Sequence, residues 1–108
     1  MIALIEDNRN AIADLCRQYG VRKLAVFGSA AKDTFNPATS DLDFAVDFSD
    51  YGPGIAKRFM RLLVSLEDLL GVRIDIVTPS SSTNPFFIAE LERTAVPIYE
   101  AGNSTVAA

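Results

Sequence analysis

The sequence predicts an α+β fold in which a small mixed sheet has helices packed mainly on one face. Two observations predict it: helical and strand-like hydrophobic periodicities alternate along the chain, and glycines or turn-forming residues separate them. The resulting order is helix, strand, strand, helix, strand, helix, strand. Such an arrangement leaves the second face of the sheet open.

The N-terminal elements follow from two different periodicities. Apolar residues recur at helical spacing through residues 1–20, which predicts one amphipathic helix ended by Gly20. Residues 24–27, Leu-Ala-Val-Phe, are a short strand-forming run. Residues 33–40 are turn formers and predict a loop. Residues 41–48 alternate strictly between apolar and polar side chains, which predicts a half-buried strand.

The C-terminal elements are equally distinct. Leucines and other apolar residues follow the helical period through residues 55–70, and Gly71 supplies the end of that helix. Residues 72–78 form an apolar strand, residues 85–94 a helix that begins with Pro, and residues 96–99 a short last strand.

Composition limits the class of protein. With 108 residues, 49% of them hydrophobic, the chain fits a single domain over residues 1–100 and a disordered tail over 101–108. The absence of His excludes serine or cysteine triads and nearly all histidine-ligated zinc sites. A net charge of −4 with scattered basic residues disfavours an extended nucleic-acid surface.

Location follows from cysteine use and hydropathy. Cys16 is the single cysteine, so an internal disulfide is excluded, which suits a reducing cytoplasm. No apolar run approaches the roughly 18 residues that a membrane span requires. The N-terminus also lacks the basic start of a signal peptide. We therefore expect a cytoplasmic protein with no membrane partner.

Two carboxylates lie together on the strand at 41–48. Asp41 and Asp43 are two residues apart and therefore point to the same side of that strand. Like charges so placed raise one another's pKa, and a divalent cation removes the conflict by accepting oxygens from both. Carboxylate oxygens are hard ligands suited to Mg²⁺ or Mn²⁺. Taken alone, the pair favours the simpler interpretation, the solvent-exposed face of an amphipathic strand.

A third carboxylate, Asp75, lies between Ile74 and Ile76 in a strand otherwise suited to the interior. If the two isoleucines face the helices, Asp75 faces the open side, and three carboxylates could surround one or two metal ions if the strands are neighbours. The structural alternative is an ion pair with Arg73 or another basic side chain.

A possible phosphate-binding turn ends the first strand. Gly28 lets backbone approach a ligand closely, and free N–H groups of such a turn can hold phosphate oxygens. Ser29 adds a hydroxyl donor. Gly-Ser after a strand is common at ordinary turns and helix N-caps, so its significance depends on the carboxylates.

In combination these segments resemble the minimal nucleotidyltransferase (MNT) family of the DNA polymerase beta superfamily. The segments that carry the resemblance are Phe-Gly-Ser at 27–29, Ser-Asp-Leu-Asp-Phe at 40–44 and Arg-Ile-Asp-Ile-Val at 73–77. The likeness extends over residues 21–101 and implies a polymerase beta palm-like nucleotidyltransferase fold. Members often have Arg-Gly where this chain has Lys32 and Asp33.

The resemblance implies roles for six side chains. Gly28 and Ser29 would bind the triphosphate of ATP, and Lys32 would offset negative charge there. The residues expected to be catalytic and to hold two Mg²⁺ ions, or Mn²⁺ in their place, are Asp41, Asp43 and Asp75. The implied reaction moves AMP from ATP to a hydroxyl acceptor and releases pyrophosphate, with Asp75 on the acceptor side.

The resemblance also implies a partner. Stand-alone members are similar to the antitoxin of HEPN/MNT toxin–antitoxin pairs, which adenylylates a tyrosine of its HEPN partner. Two alternatives stay open: transfer to a small molecule or RNA end, and a non-catalytic module that silences its partner by covering it. Self-association is left open as well. The apolar stretch at 85–88 could dock a partner, although core packing is the preferred interpretation.

Overall fold

The computed structural model describes residues 3–28, 36, 41–79 and 83–101. In chain order the elements are α1 (Ala3–Glu6), α2 (Arg9–Gln18), β1 (Val21–Phe27), β2 (Leu42–Phe48), α3 (Ile55–Leu70), β3 (Ile74–Val77), α4 (Pro85–Thr94) and β4 (Val96–Glu100). The predicted order of helices and strands is confirmed, with the first helix divided in two.

The division of the first helix has a local cause at Asn8. The helical period predicts one continuous helix over residues 1–20, and this is wrong. Asn8 has φ −116° and ψ 12°, outside the helical region, and its side-chain Nδ2 donates to the Leu4 carbonyl at 2.8 Å. Asn side chains compete with the helical ladder in this way. Ile5 and Ile12 nevertheless both enter the core, which is why the apolar period continues across the break.

The four strands form one mixed sheet in the order β3-β2-β1-β4. β1 pairs antiparallel with β2 and β4, whereas β2 and β3 run parallel. The predicted α+β class with a small mixed sheet is therefore confirmed. β3 is shorter than the predicted 72–78, and β1 begins three residues before the predicted run at 24–27.

One face of the sheet carries the main core. Strand residues at alternate positions bury their side chains against α2 and α3, and α3 ends at Gly71 as predicted. The largest fully buried side chains are Phe44, Phe48, Ile5, Ile12, Leu24, Leu42, Leu62, Leu66, Val21, Val26, Val46 and Cys16. Because the strand period is two, the intervening residues of β2 face the opposite side.

Helix α4 lies by that opposite side. The Asn84 side chain caps it by accepting from the N–H groups of Phe86 and Phe87, and its buried residue Leu91 lines a cavity together with Ala25 of β1. The prediction that the apolar stretch at 85–88 packs in the core is wrong for Phe86, whose exposed fraction is 86%. The first turn of α4 points that ring into solvent.

Two sequence expectations fall largely on undescribed residues. Of the predicted loop at 33–40 the structure describes residue 36, and of the predicted tail at 101–108 it describes residue 101. Within the described ranges, no helix combines the length and the apolar character needed to cross a membrane.

Candidate active site

Two carboxylates meet on the face of the sheet opposite the main core. Asp43 lies between the buried residues Leu42 and Phe44, so the alternation of β2 turns it to the other side. Asp75 does the same between Ile74 and Ile76 of β3. The parallel pairing makes Asp43 and Asp75 direct Cα partners, with Asp43 half-buried and Asp75 exposed.

Asp43 lies in an unfavourable electrostatic environment for its charge. Burial raises the pKa of the Asp43 carboxyl, and the negative charges of Asp75 and Asp41 raise it further. Neither Asp43 nor Asp75 forms a hydrogen bond or ion pair in the part of the chain that the structure describes. Among the described residues, the pair is therefore a concentration of negative charge with no cationic partner.

Asp41 is placed differently. Its Oδ1 lies 3.3 Å from Nε of Arg73, the residue whose carbonyl accepts the Leu42 N–H at 2.9 Å. The structural alternative for Asp75 is an ion pair with Arg73, but in the structure that arginine contacts Asp41 instead. Asp41 nonetheless lies close enough to contribute to the raised pKa of Asp43.

Gly28 closes the site at the end of β1. It has φ +70°, a left-handed conformation that glycine adopts without strain. A Cβ built on Gly28 would stand 2.6 Å from Oδ2 of Asp43. The strand pairing explains the approach, because Phe27 is the Cα partner of Asp43. Glycine therefore lets the turn backbone reach the carboxylate.

The described residues include only part of the predicted site. Ser29 and Lys32, expected to bind the nucleotide, lie outside the residues that the structure describes. Within residues 3–28, 36, 41–79 and 83–101, no three Asp, Glu, Cys or His side chains form a group that could hold a metal ion as they stand. The contact of Asp41 with Arg73 shows one carboxylate of the expected set directed to another cation.

The donor chemistry still fits a hard divalent cation. Carboxylate oxygens are the ligands such ions prefer, and Asp43 with Asp75 supplies two carboxyl groups without another cation partner in the described chain. Release of Asp41 from Arg73 would add a third group, two residues from Asp43 and immediately before β2.

A cavity of about 410 Å³ lies on the same face, beside the carboxylates. Sequence reasoning missed it. Its floor contains Ala25 and Ala45, which are Cα partners across β1 and β2, and α4 forms one wall through Leu91 and Ala95. Small residues at paired positions of adjacent strands were the available signal, but the position of α4 above them is a tertiary feature.

These observations define the class of protein. A mixed sheet with paired carboxylates beside a glycine turn is the arrangement expected of a nucleotidyltransferase, and residues 9–98 match the family model described as the nucleotidyltransferase domain. The chain belongs to that family and is a nucleotidyltransferase.

Two archaeal relatives illustrate the family. A Methanocaldococcus jannaschii protein whose name places it among the protein adenylyltransferases is 33% identical over 84 residues, which span 78% of this chain and 83% of the relative. The protein adenylyltransferase MntA of Thermococcus cleftensis is 41% identical over 68 residues, covering 63% of this chain and 66% of its own.

Solved structures agree on the fold. A structure described as a minimal nucleotidyltransferase matches with a TM-score of 0.74 and 34% identity, covering 89% of this chain and 96% of the other. A toxin–antitoxin structure with AMP-PNP matches with a TM-score of 0.70 at 23% identity, covering 90% and 77%. The expected membership of the minimal nucleotidyltransferases is thus confirmed.

Proposed function

We propose that the chain transfers AMP from ATP to a hydroxyl of a partner protein and releases pyrophosphate. The observation that carries the proposal is the Asp43–Asp75 pair, in register on the sheet face opposite the main core, with the Gly28 turn against it. A crowded carboxylate pair with a backbone approach beside it suits a nucleotide that arrives with a divalent cation.

The groups that would hold such a cation are Asp43, Asp75 and, after release from Arg73, Asp41. Bound there, Mg²⁺ would neutralise the triphosphate and polarise the phosphoryl oxygens. The pair of Mg²⁺ ions that the family resemblance implies is part of this proposal. The raised pKa of Asp43 supports it, because the unfavourable charge is the one that a cation would stabilise.

Residues of the chain would bind the phosphates and accept the proton. The Gly28 turn, with Ser29 and Lys32 next to it in the sequence, would hold the β- and γ-phosphates. The acceptor oxygen forms a bond to the α-phosphorus while the bond from that phosphorus to the β-phosphate oxygen breaks. Pyrophosphate leaves with the electron pair, and the Asp75 carboxylate accepts the acceptor's proton.

The comparisons support the choice of acceptor in this proposal. Relatives of this length are named protein adenylyltransferases. Structures of the same fold include a tri-AMPylated Shewanella oneidensis HEPN toxin in complex with an MNT antitoxin, matched with a TM-score of 0.63 at 20% identity over 94% of this chain and 77% of the other. We accordingly propose a HEPN-type protein as partner, an antitoxin role, and a tyrosine hydroxyl as acceptor.

Position-specific labels test the reaction. The chain is incubated with its candidate HEPN partner, Mg²⁺ and either [α-³²P]ATP or [γ-³²P]ATP. The proposal predicts that the partner acquires α-label and no γ-label, and that Asp43→Asn removes the transfer. Asp68→Asn, on the exposed surface of α3, is the matched control and should transfer at the unchanged rate.

Two other results of this experiment would contradict adenylyl transfer. If the partner is silenced by a stoichiometric complex without acquiring label, and if Asp43→Asn silences it equally well, the chain acts by covering its partner. Gain of γ-label would instead indicate phosphoryl transfer. Either result would overturn the proposed adenylyl transfer.

A further inference from the structure

The cavity beside the carboxylates has a fixed place in the sheet. The residues Asp75, Asp43 and Phe27 form one row across β3, β2 and β1. Two residues further along the strands, about 7 Å away, Ala45 and its Cα partner Ala25 form the next row on the same face. The cavity lies over this second row, on the side of the carboxylates away from the Gly28 turn.

This order has a chemical consequence for in-line transfer. The attacking and leaving oxygens lie on opposite sides of the phosphorus in such a reaction. With the leaving pyrophosphate at the Gly28 turn, the acceptor must approach from the opposite side of the Asp43–Asp75 row. That side is the cavity over Ala25 and Ala45.

We propose that this cavity is the acceptor subsite and that it takes the phenol ring of a tyrosine. The inference rests on the proposed adenylyl transfer and adds where the acceptor binds. The distance between the two rows is comparable to the length of a tyrosine side chain. A ring seated over Ala45 could therefore direct its hydroxyl to the carboxylate row.

The lining of the cavity suits an uncharged flat ring. Two small alanines form the floor of the cavity and leave space above it. The apolar residues of the cavity walls include Pro79, Leu91, Ala95 and Pro97. A volume of about 410 Å³ is far more than a serine or threonine hydroxyl would need. A mainly apolar lining that also includes charged side chains suits an aromatic group that carries a hydroxyl.

The charges at the rim argue against a phosphate in the same cavity. Arg22 contacts Asp47, and Lys23 Nζ lies 3.8 Å from Glu100 Oε1, so both cations of the rim face carboxylates. The exposed Glu92 adds a further negative charge. The rim therefore offers a triphosphate no excess of positive charge, whereas a neutral phenol requires none.

Two variants narrow the cavity without touching the carboxylates. Ala45→Val adds two methyl groups to the floor at a strand position, where valine is favoured. Ala95→Val adds them to the wall at a residue with φ −71° and ψ 142°, an extended conformation that valine adopts readily. If one variant fails to fold, the other tests the cavity. Ala56→Val, on the exposed surface of α3, is the control.

Binding is measured by NMR on the ¹⁵N-labelled full chain, with N-acetyltyrosinamide as probe and N-acetylalaninamide as the probe that lacks the ring. The proposal predicts shifts at the amides of Ala25, Ala45 and Leu91 with the tyrosine probe alone. Filling the cavity should weaken the affinity at least about tenfold in either folded variant, and Ala56→Val should leave it unchanged.

Other outcomes overturn the proposal. These are the absence of shifts at the three amides at millimolar probe, an unchanged affinity in the folded variants, or stronger shifts with adenosine than with the tyrosine probe. Failure of the proposed function is seen separately, as the absence of α-label transfer to the partner and of any response of the Gly28 amide to AMP-PNP and Mg²⁺.

Discussion

Asp43 and Asp75 are direct Cα partners across the parallel pair β2 and β3, and both turn away from the main core. Parallel strands place residues of equal register side by side, so two acidic residues separated by a long helix come to share one face. Their negative charges repel each other there, and a nucleotide bound with a divalent cation would reduce that repulsion.

This electrostatic conflict predicts a stabilising substitution. The pKa of Asp43 is raised from its ordinary value of 3.8 by burial and by Asp75 and Asp41. The folded chain therefore binds this proton more tightly than the unfolded chain does. The free energy of unfolding falls as pH rises from about 3.8 through the raised pKa, and the loss is complete above it.

Asp43→Asn removes the titrating charge, so its thermal midpoint at pH 7 without metal should exceed that of the wild type. The gain should vanish at pH 3, where the wild-type carboxyl is protonated as well. Melting curves at both pH values, with Asp68→Asn as control, measure this. A midpoint for Asp43→Asn below the wild type at pH 7 would contradict the assignment.

Arg73 should compete with a cation for Asp41. Its Nε lies 3.3 Å from Asp41 Oδ1, and both side chains are substantially exposed. Exposed pairs contribute little, so Arg73→Ala should tighten binding of Mn²⁺ only about two- to fivefold. Isothermal titration with Mn²⁺ measures it. Arg93→Ala, which breaks the exposed pair with Glu90, is the control. Unchanged or weaker Mn²⁺ binding in Arg73→Ala would show that Asp41 does not contribute to the cation site.

Gly28→Ala should damage the site more than it damages the fold. Any Cβ here meets left-handed strain of about 1 kcal/mol and would stand 2.6 Å from Asp43 Oδ2. Gly71 is the matched control, because its φ of +69° carries the same strain and nothing lies within 4 Å of its Cβ position.

The two alanine variants should thus have similar thermal midpoints, whereas transfer of AMP should fall at least about tenfold further in Gly28→Ala. Equal activities in the two variants would show that the approach of Gly28 to Asp43 is incidental.

Cys16 should be chemically inert in the folded protein. Burial raises the pKa of its thiol to about 12, despite the nearby Arg17. The thiolate fraction at neutral pH is then negligible, and the side chain is fully enclosed in the core. Titration with a thiol reagent at pH 7.5 should show labelling at the rate of unfolding. Rapid labelling of the native chain would indicate an accessible thiol.

How far the sequence predicts the molecule depends on how local each signal is. The helix at 55–70 follows from its leucine period and from Gly71, and both bounds agree with the structure. The alternation of β2 fixes the face of Asp43 without any tertiary information. The break at Asn8 escapes the same reasoning, because the apolar period continues across it into one core.

The same distinction between local and tertiary signals applies to the site. The acidic residues that meet were identified from the strand pattern, but their register depends on which strands are neighbours, and only the structure gives that. The contact between Arg73 and Asp41 and the exposure of Phe86 arise from how elements approach one another. The cavity over Ala25 and Ala45 needs the position of α4, which no periodicity contains.

The central claim is that Asp43 and Asp75 together hold a cation-bearing nucleotide, and binding of Mn²⁺ measured by electron paramagnetic resonance tests it most directly. In the presence of ATP, the wild type should bind Mn²⁺ at least about tenfold more tightly than folded Asp75→Asn. Asp68→Asn should bind like the wild type. Equal Mn²⁺ affinity in the wild type and Asp75→Asn, with ATP present, would contradict the claim.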